Sequence, residues 1–199
     1  LGGGGGIASC KLAEAWVKLG HQVDVVTSHY HNLALEENVA GVHIFRVPVL
    51  LRKKLANAGL LSLLSFPFLG KKRVQKLFKN NQYDVINTHF AVPSGPLGVW
   101  ASKKFKVPHV LFVHGGDVYD PSKTLSPHKW WFFRWAVKKV LNKSHKVLCQ
   151  SSNTKKNIID FYHYKKPVDI VPLGFEPPLN LPLKEPQKLK LNPDFFYLI

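Results

Sequence analysis

Short apolar runs and helical stripes alternate along almost the whole chain. Val23-Asp-Val-Val-Thr27, Val42-His-Ile-Phe-Arg-Val47, Asp84-Val-Ile-Asn-Thr88, His109 to Val113, Lys146-Val-Leu-Cys149 and Val168-Asp-Ile-Val171 read as strands. They are valine-rich and mostly apolar on both faces, the pattern of strands buried on both sides. Between them, Ile7 to Leu19 places apolar residues on one helical stripe and stops at Gly20. Further helices are predicted over Arg52 to Asn80 in two pieces broken around Phe66-Pro67, over Gly95 to Phe105, over Leu125 to Asn142, and over Ser151 to Tyr162 behind a serine or asparagine cap. Ser28 to Ala40 is polar and reads as a loop. Alternation of this kind predicts an α/β fold, a Rossmann-like parallel sheet covered by helices on both faces.

A parallel sheet fixes where a ligand would sit, because loops beyond the carboxyl ends of its strands open on one side. Four such loops carry polar or glycine-rich residues: Gly2 to Gly6 before the first helix, Thr88-His89, His114-Gly115-Gly116-Asp117, and Pro172-Leu-Gly174. Glycines there let backbone N–H groups and a helix N-terminus approach a phosphate. The run Val110-Leu-Phe-Val-His-Gly-Gly-Asp-Val-Tyr119 is the most distinctive, since two small residues clear space beside the His114 ring.

Each feature also has a bland reading. Five glycines in a row can be a flexible loop or an expression remnant. His114 can be a strand-end histidine satisfied by backbone, and His89 is less distinctive still. A nicotinamide dinucleotide site fits poorly: only the relaxed Gly3-x-Gly5-x-x-Ala8 can be placed, and Thr27-Ser28-His29 stands where a ribose-binding acid is needed. A metal site from His29, His31, His89, His114 and Asp117 lacks any recognised ligand spacing; neither metal nor cofactor is expected.

The 199 residues are 45% hydrophobic and 12% aromatic, enough for a buried core. Lys and Arg exceed Asp and Glu by 28 − 12 = +16, a field that favours anionic partners such as a nucleotide or a phospholipid surface. From Val39 to Tyr83 there is no acidic residue, and Leu60, Leu61, Leu63, Leu64, Phe66 and Phe68 lie between two basic clusters. That segment reads either as a helix pair with leucines in the core or as a dock for anionic membrane. Trp130 to Trp135 reads by default as core packing, with one basic-aromatic face as the alternative. Cys10 and Cys149 form no metal-spaced pair, and Cys149 reads as a small buried hydrophobe in a reduced, cytoplasmic setting. No apolar run has the length of a membrane-spanning helix.

Gly3-Gly-Gly-Gly-Ile-Ala8, then Leu12-Ala-x-x-Trp-x-x-Leu19-Gly-His-x-Val-x-Val-Val-Thr27, resembles the opening of a family 4 GT-B glycosyltransferase. Asp84 to His89, Val113 to Asp117, Lys146 to Ser151 and Val171-Pro-Leu-Gly174 resemble its later blocks in the same order. The resemblance implies an amino-terminal, acceptor-binding domain over residues 1–178. Residues 179–199, with Pro182 and Pro186, would be a connector and the start of a second domain. It further implies a retaining enzyme that passes a hexose from a nucleotide-sugar donor to a glycan or lipid-linked acceptor, usually without a metal. By similarity His114 would be catalytic, facing the transferred sugar. Gly4, Gly5, His89, Gly115, Gly116, Asp117 and Gly174 would bind substrate, and no nucleic acid is expected. The family's first strand and its carboxyl-terminal donor domain, with its paired glutamates, are not found here, so the isolated chain is expected to be inactive, peripheral to the inner membrane face at most. The alternative is a basic anion- or membrane-binding α/β module without chemistry.

Overall fold

The computed structural model describes residues 4–52, 59–122 and 126–174; the expected connector at 179–199 lies outside them. The order is α1 (Gly4–Lys18), β1 (Asp24–Ser28), β2 (Glu36–Val39), β3 (Val42–Val47), α2 (Leu60–Asn80), β4 (Ile86–His89), α3 (Ser94–Phe105), β5 (His109–Val113), α4 (Trp131–Lys143), β6 (Lys146–Cys149), α5 (Ser152–Tyr162) and β7 (Asp169–Ile170). Strands β4-β5-β6-β7 form an all-parallel sheet in that order, flanked by helices. The α/β architecture is therefore the expected one.

Central strand β5 shows why this sheet holds. Leu111 and Val113 are fully buried in a cluster with Val137, Val140 and Leu141 of α4 and Ile158 and Tyr162 of α5. The polar residue on the same strand, His109, is buried because it is satisfied on both ring nitrogens: Nε2 lies 2.7 Å from Thr88 Oγ1 and Nδ1 3.2 Å from Ser144 Oγ. Helix α3 packs closely there through Gly98, where a Cβ would stand 2.4 Å from Thr88 Cγ2. Ser151 caps α5 by accepting the Thr154 N–H at 3.2 Å, as expected. Cys149 is fully buried.

Several sequence expectations are corrected. The other strands form a separate three-stranded sheet, β1-β3-β2, in which β1 and β3 are parallel and β2 runs antiparallel to β3. Strand β2 lies in the stretch read as loop. Its acidic residues form ion pairs rather than entering a core: Glu37 pairs with the Arg46 guanidinium of β3, and Arg73 of α2 reaches Glu36 at 2.5 Å. Ala40 and Gly41, both at positive φ, close the two-residue hairpin, and the Gly41 N–H is taken by Asn38 Oδ1 at 3.1 Å.

Helix α2 is also unbroken at Pro67. Phe66, Gly70, Val74 and Leu77 lie on one buried face, and Gly70 abuts Leu97 of α3. Packing of that face against the sheet outweighs the local cost of proline. Gly4 to Gly6 lie within α1 rather than in a loop before it, and Gly2 and Gly3 lie outside the described residues. Helix α4 starts at Trp131, and its aromatics are not core: Trp131 is 81% and Trp135 61% exposed, while only Phe133 is buried.

Candidate functional site

The carboxyl ends of β4 and β5 lie side by side, with His89 opposite Phe112 in the ladder. His114 stands two residues after Phe112, just past the end of β5, and the two histidines meet: His89 Nδ1 is 2.8 Å from His114 Nε2. The His89 ring stacks on Phe112, with centroids 5.5 Å apart and an interplanar angle of 17°. Burial pushes both imidazoles down to about 4, and for His89 the neighbouring His114 adds to the effect. Both rings are consequently neutral at pH 7.

Asp117 holds the two loops together. Its carboxylate, 5% exposed, accepts the Ala91 N–H at 2.6 Å from the loop after β4 and the His114 N–H at 2.9 Å from the loop after β5. Burial pushes this carboxyl up to about 6, against the opposing pull of these backbone N–H donors. Gly115 takes φ +93, a left-handed value that glycine alone adopts without strain, and turns the chain so that Asp117 folds back. From the next strand end, Gln150 Nε2 donates to the His114 carbonyl at 2.9 Å.

Helix α1 reaches the same place. A Cβ on Gly5 would stand 2.4 Å from Phe90 Cζ, and the Phe90 ring in turn lies 4.6 Å from that of His114. Gly5, Phe90, His114 and His89 thus form one contiguous row.

The structure therefore brings together Gly5, His89, His114, Gly115 and Asp117 from the residues singled out in the sequence. Gly4 lies in the first turn of α1 with open space beside it, Gly116 is exposed in the β5 loop, and Gly174 lies exposed beyond β7. Asp117 faces backbone rather than the cleft. Phe90 and Gln150 were not anticipated. Gln150 obeys the strand-end rule that picked out His114, whereas nothing in the sequence marks Phe90. Among the described residues no group of three His, Cys, Asp or Glu side chains could hold a metal ion; His29 instead bonds the Leu33 carbonyl at 2.8 Å. Among them, too, no helix is long and apolar enough to cross a membrane.

Comparison with known proteins places this geometry. A family model described as Glycosyltransferase Family 4 matches residues 2–177. An uncharacterised glycosyltransferase of Methanocaldococcus jannaschii is 26% identical over 95 residues, covering 48% of this chain and 25% of that protein. Sucrose-phosphate synthase of Thermosynechococcus elongatus has a similar fold. One solved structure superposes with a TM-score of 0.63 at 16% identity, covering 84% of each chain. A longer one superposes at 0.60 and 16% identity, covering 85% of this chain and 42% of that one. The chain spans a quarter of the length of the Methanocaldococcus relative. With a family match over residues 2–177, the chain belongs to glycosyltransferase family 4 and has the Rossmann-like architecture of a GT-B fold.

Proposed function

We propose that this chain is the acceptor-binding half of a retaining glycosyltransferase that moves a hexose from a nucleotide-sugar to a glycan or lipid-linked acceptor. The observation that carries this reading is His114: a neutral, half-buried imidazole at a parallel strand end, held through its backbone by Asp117 and Gln150. A neutral ring suits a site facing a sugar, because it can donate or accept a hydrogen bond to a hydroxyl without bringing a charge. The glycines of α1 support placing the donor diphosphate near Gly4 and Gly5, because small residues let a phosphate approach the backbone. Gly115 gives the loop after β5 its left-handed turn, and Gly116 and Gly174 would contribute from exposed positions in the β5 and β7 loops. Most groups stabilising the departing diphosphate would come from a second domain. The isolated chain would not turn over donor.

In a full-length enzyme, His114→Ala should lower turnover on the order of a hundredfold or more, while nucleotide affinity stays within about twofold. Turnover assays with nucleotide titration test this. Near-normal turnover would remove His114 from the mechanism.

A second reading concerns the surface. Helix α2 leaves Leu61 50%, Leu64 41% and Phe68 68% exposed at helical spacing, and the same helix carries Lys71, Lys72, Lys76 and Lys79 with no acid. An apolar stripe with a cationic flank fits the headgroup region of an anionic bilayer, each basic residue contributing about 1 kcal/mol there. A second copy of the chain fits less well, because two faces from +16 molecules repel. Co-sedimentation should rise with phosphatidylserine content, fall with salt and fall in Phe68→Ser. Equal binding to phosphatidylcholine vesicles would reject it.

A further inference from the structure

Two ring nitrogens 2.8 Å apart share one proton, so either His89 Nδ1 or His114 Nε2 carries the hydrogen and the other is bare. Because both rings are neutral, that one choice sets the outer nitrogens as well. If His114 Nε2 donates, His114 Nδ1 is an acceptor and His89 Nε2 a donor. If His89 Nδ1 donates, both roles reverse. The pair therefore always presents one donor and one acceptor, and His114 cannot change its hydrogen-bonding character without His89 changing too.

The surroundings keep the two rings in register. His89 is stacked on Phe112, and His114 touches Phe90 at 4.6 Å and Phe112 at 5.0 Å between ring centroids. The backbone of His114 is tied at both its N–H and its carbonyl. Those contacts limit where the His114 ring can sit, but stacking on phenyl rings does not distinguish one imidazole nitrogen from the other. The bond to His89 does.

We infer that His89 is a positioning residue for His114: its Nδ1 bond to His114 Nε2 fixes the orientation of the His114 ring and ties its tautomer to that of His89, so that the role of His114 Nδ1 toward the sugar is always complementary to that of His89 Nε2. This rests on the reading that His114 faces the transferred sugar, and it moves His89 from substrate contact to a residue acting through another. The arrangement resembles in logic any base oriented by a third group, where losing the orienting partner leaves the fold intact but populates the wrong tautomer.

Two readouts test it. In ¹⁵N long-range spectra of this chain at pH 7, His89 and His114 should report the same tautomer, both carrying the proton on Nε2 or both on Nδ1. His89→Phe, which keeps the stacking but not the bond, should shift the tautomer populations of His114. His89→Asn, whose amide can occupy the place of Nδ1, should shift them back. In the full-length enzyme His89→Phe should lower kcat on the order of tenfold or more with KM within about twofold, and His89→Asn should recover most of the loss. Opposite tautomers on the two rings, or unchanged tautomer populations of His114 in His89→Phe, would overturn the proposal. Full turnover in His89→Phe would overturn it too, provided His114→Ala is impaired. Full turnover in His114→Ala would instead reject the reading of His114 on which it rests.

Discussion

Asp117 Oδ2 accepts the Ala91 backbone N–H at 2.6 Å across a sequence separation of 26 residues, and so joins the loops at the ends of two neighbouring strands. The same carboxylate takes the His114 N–H at 2.9 Å. Asp117→Ala would strand two donors, at about 1–3 kcal/mol for each one left buried and unpaired. We expect urea denaturation to show a loss of about 2–5 kcal/mol, against a few tenths for exposed Asp160→Asn. Equal stability of the two variants would show that the loops are held without Asp117.

Three histidines and this aspartate oppose one another in pH dependence. His89, His109 and His114 are lowered by burial to about 4, below the 6.5 of an unfolded chain, so their contribution is complete above 6.5 and is lost as pH falls through 4. Asp117 is raised to about 6, so its contribution is complete below 3.8 and is lost as pH rises through 6. Three groups outweigh one. Thermal unfolding should show the melting temperature dropping between pH 6.5 and 4.5; a rise on acidification would contradict the burial of the histidines.

Neighbouring glycines in the first turn of α1 should respond differently to a methyl group. At Gly6 a Cβ meets nothing within 4 Å, whereas at Gly5 it would stand 2.4 Å from Phe90 Cζ. Gly6→Ala should stabilise by about 0.5 kcal/mol through helix propensity. Gly5→Ala must move the Phe90 ring against His114 and should destabilise by about 1 kcal/mol or more. Denaturant midpoints of the two variants check the contrast, and matching shifts would place Phe90 elsewhere.

Tyr162 donates its hydroxyl to the Val118 carbonyl at 2.6 Å inside the core. Tyr162→Phe keeps the ring but leaves that carbonyl buried without its partner, a cost of about 1–2 kcal/mol in chemical denaturation. No loss would mean another donor satisfies Val118.

Local signals determined much of this protein. Apolar runs such as His109–Val113 and Lys146–Cys149 became strands because burial on both faces demands continuous hydrophobicity, and the Ser151 cap set the start of α5. Polar residues at strand ends singled out His114, since parallel strands must open their loops on one side. What the tertiary structure decided was everything that depends on residues distant in the chain. Glu36 to Val39 became a strand because Arg46 and Arg73 pair with its acids, a charge match no local propensity carries. Pro67 stayed within a helix because Phe66 and Val74 had Val47 of β3 and Leu97 and Ala101 of α3 to pack against. The meeting of His89 with His114 required adjacent strands, a register that sets His89 opposite Phe112, and the Asp117 bridge together. Strand order is set by the packing of the whole sheet, and no short stretch contains it.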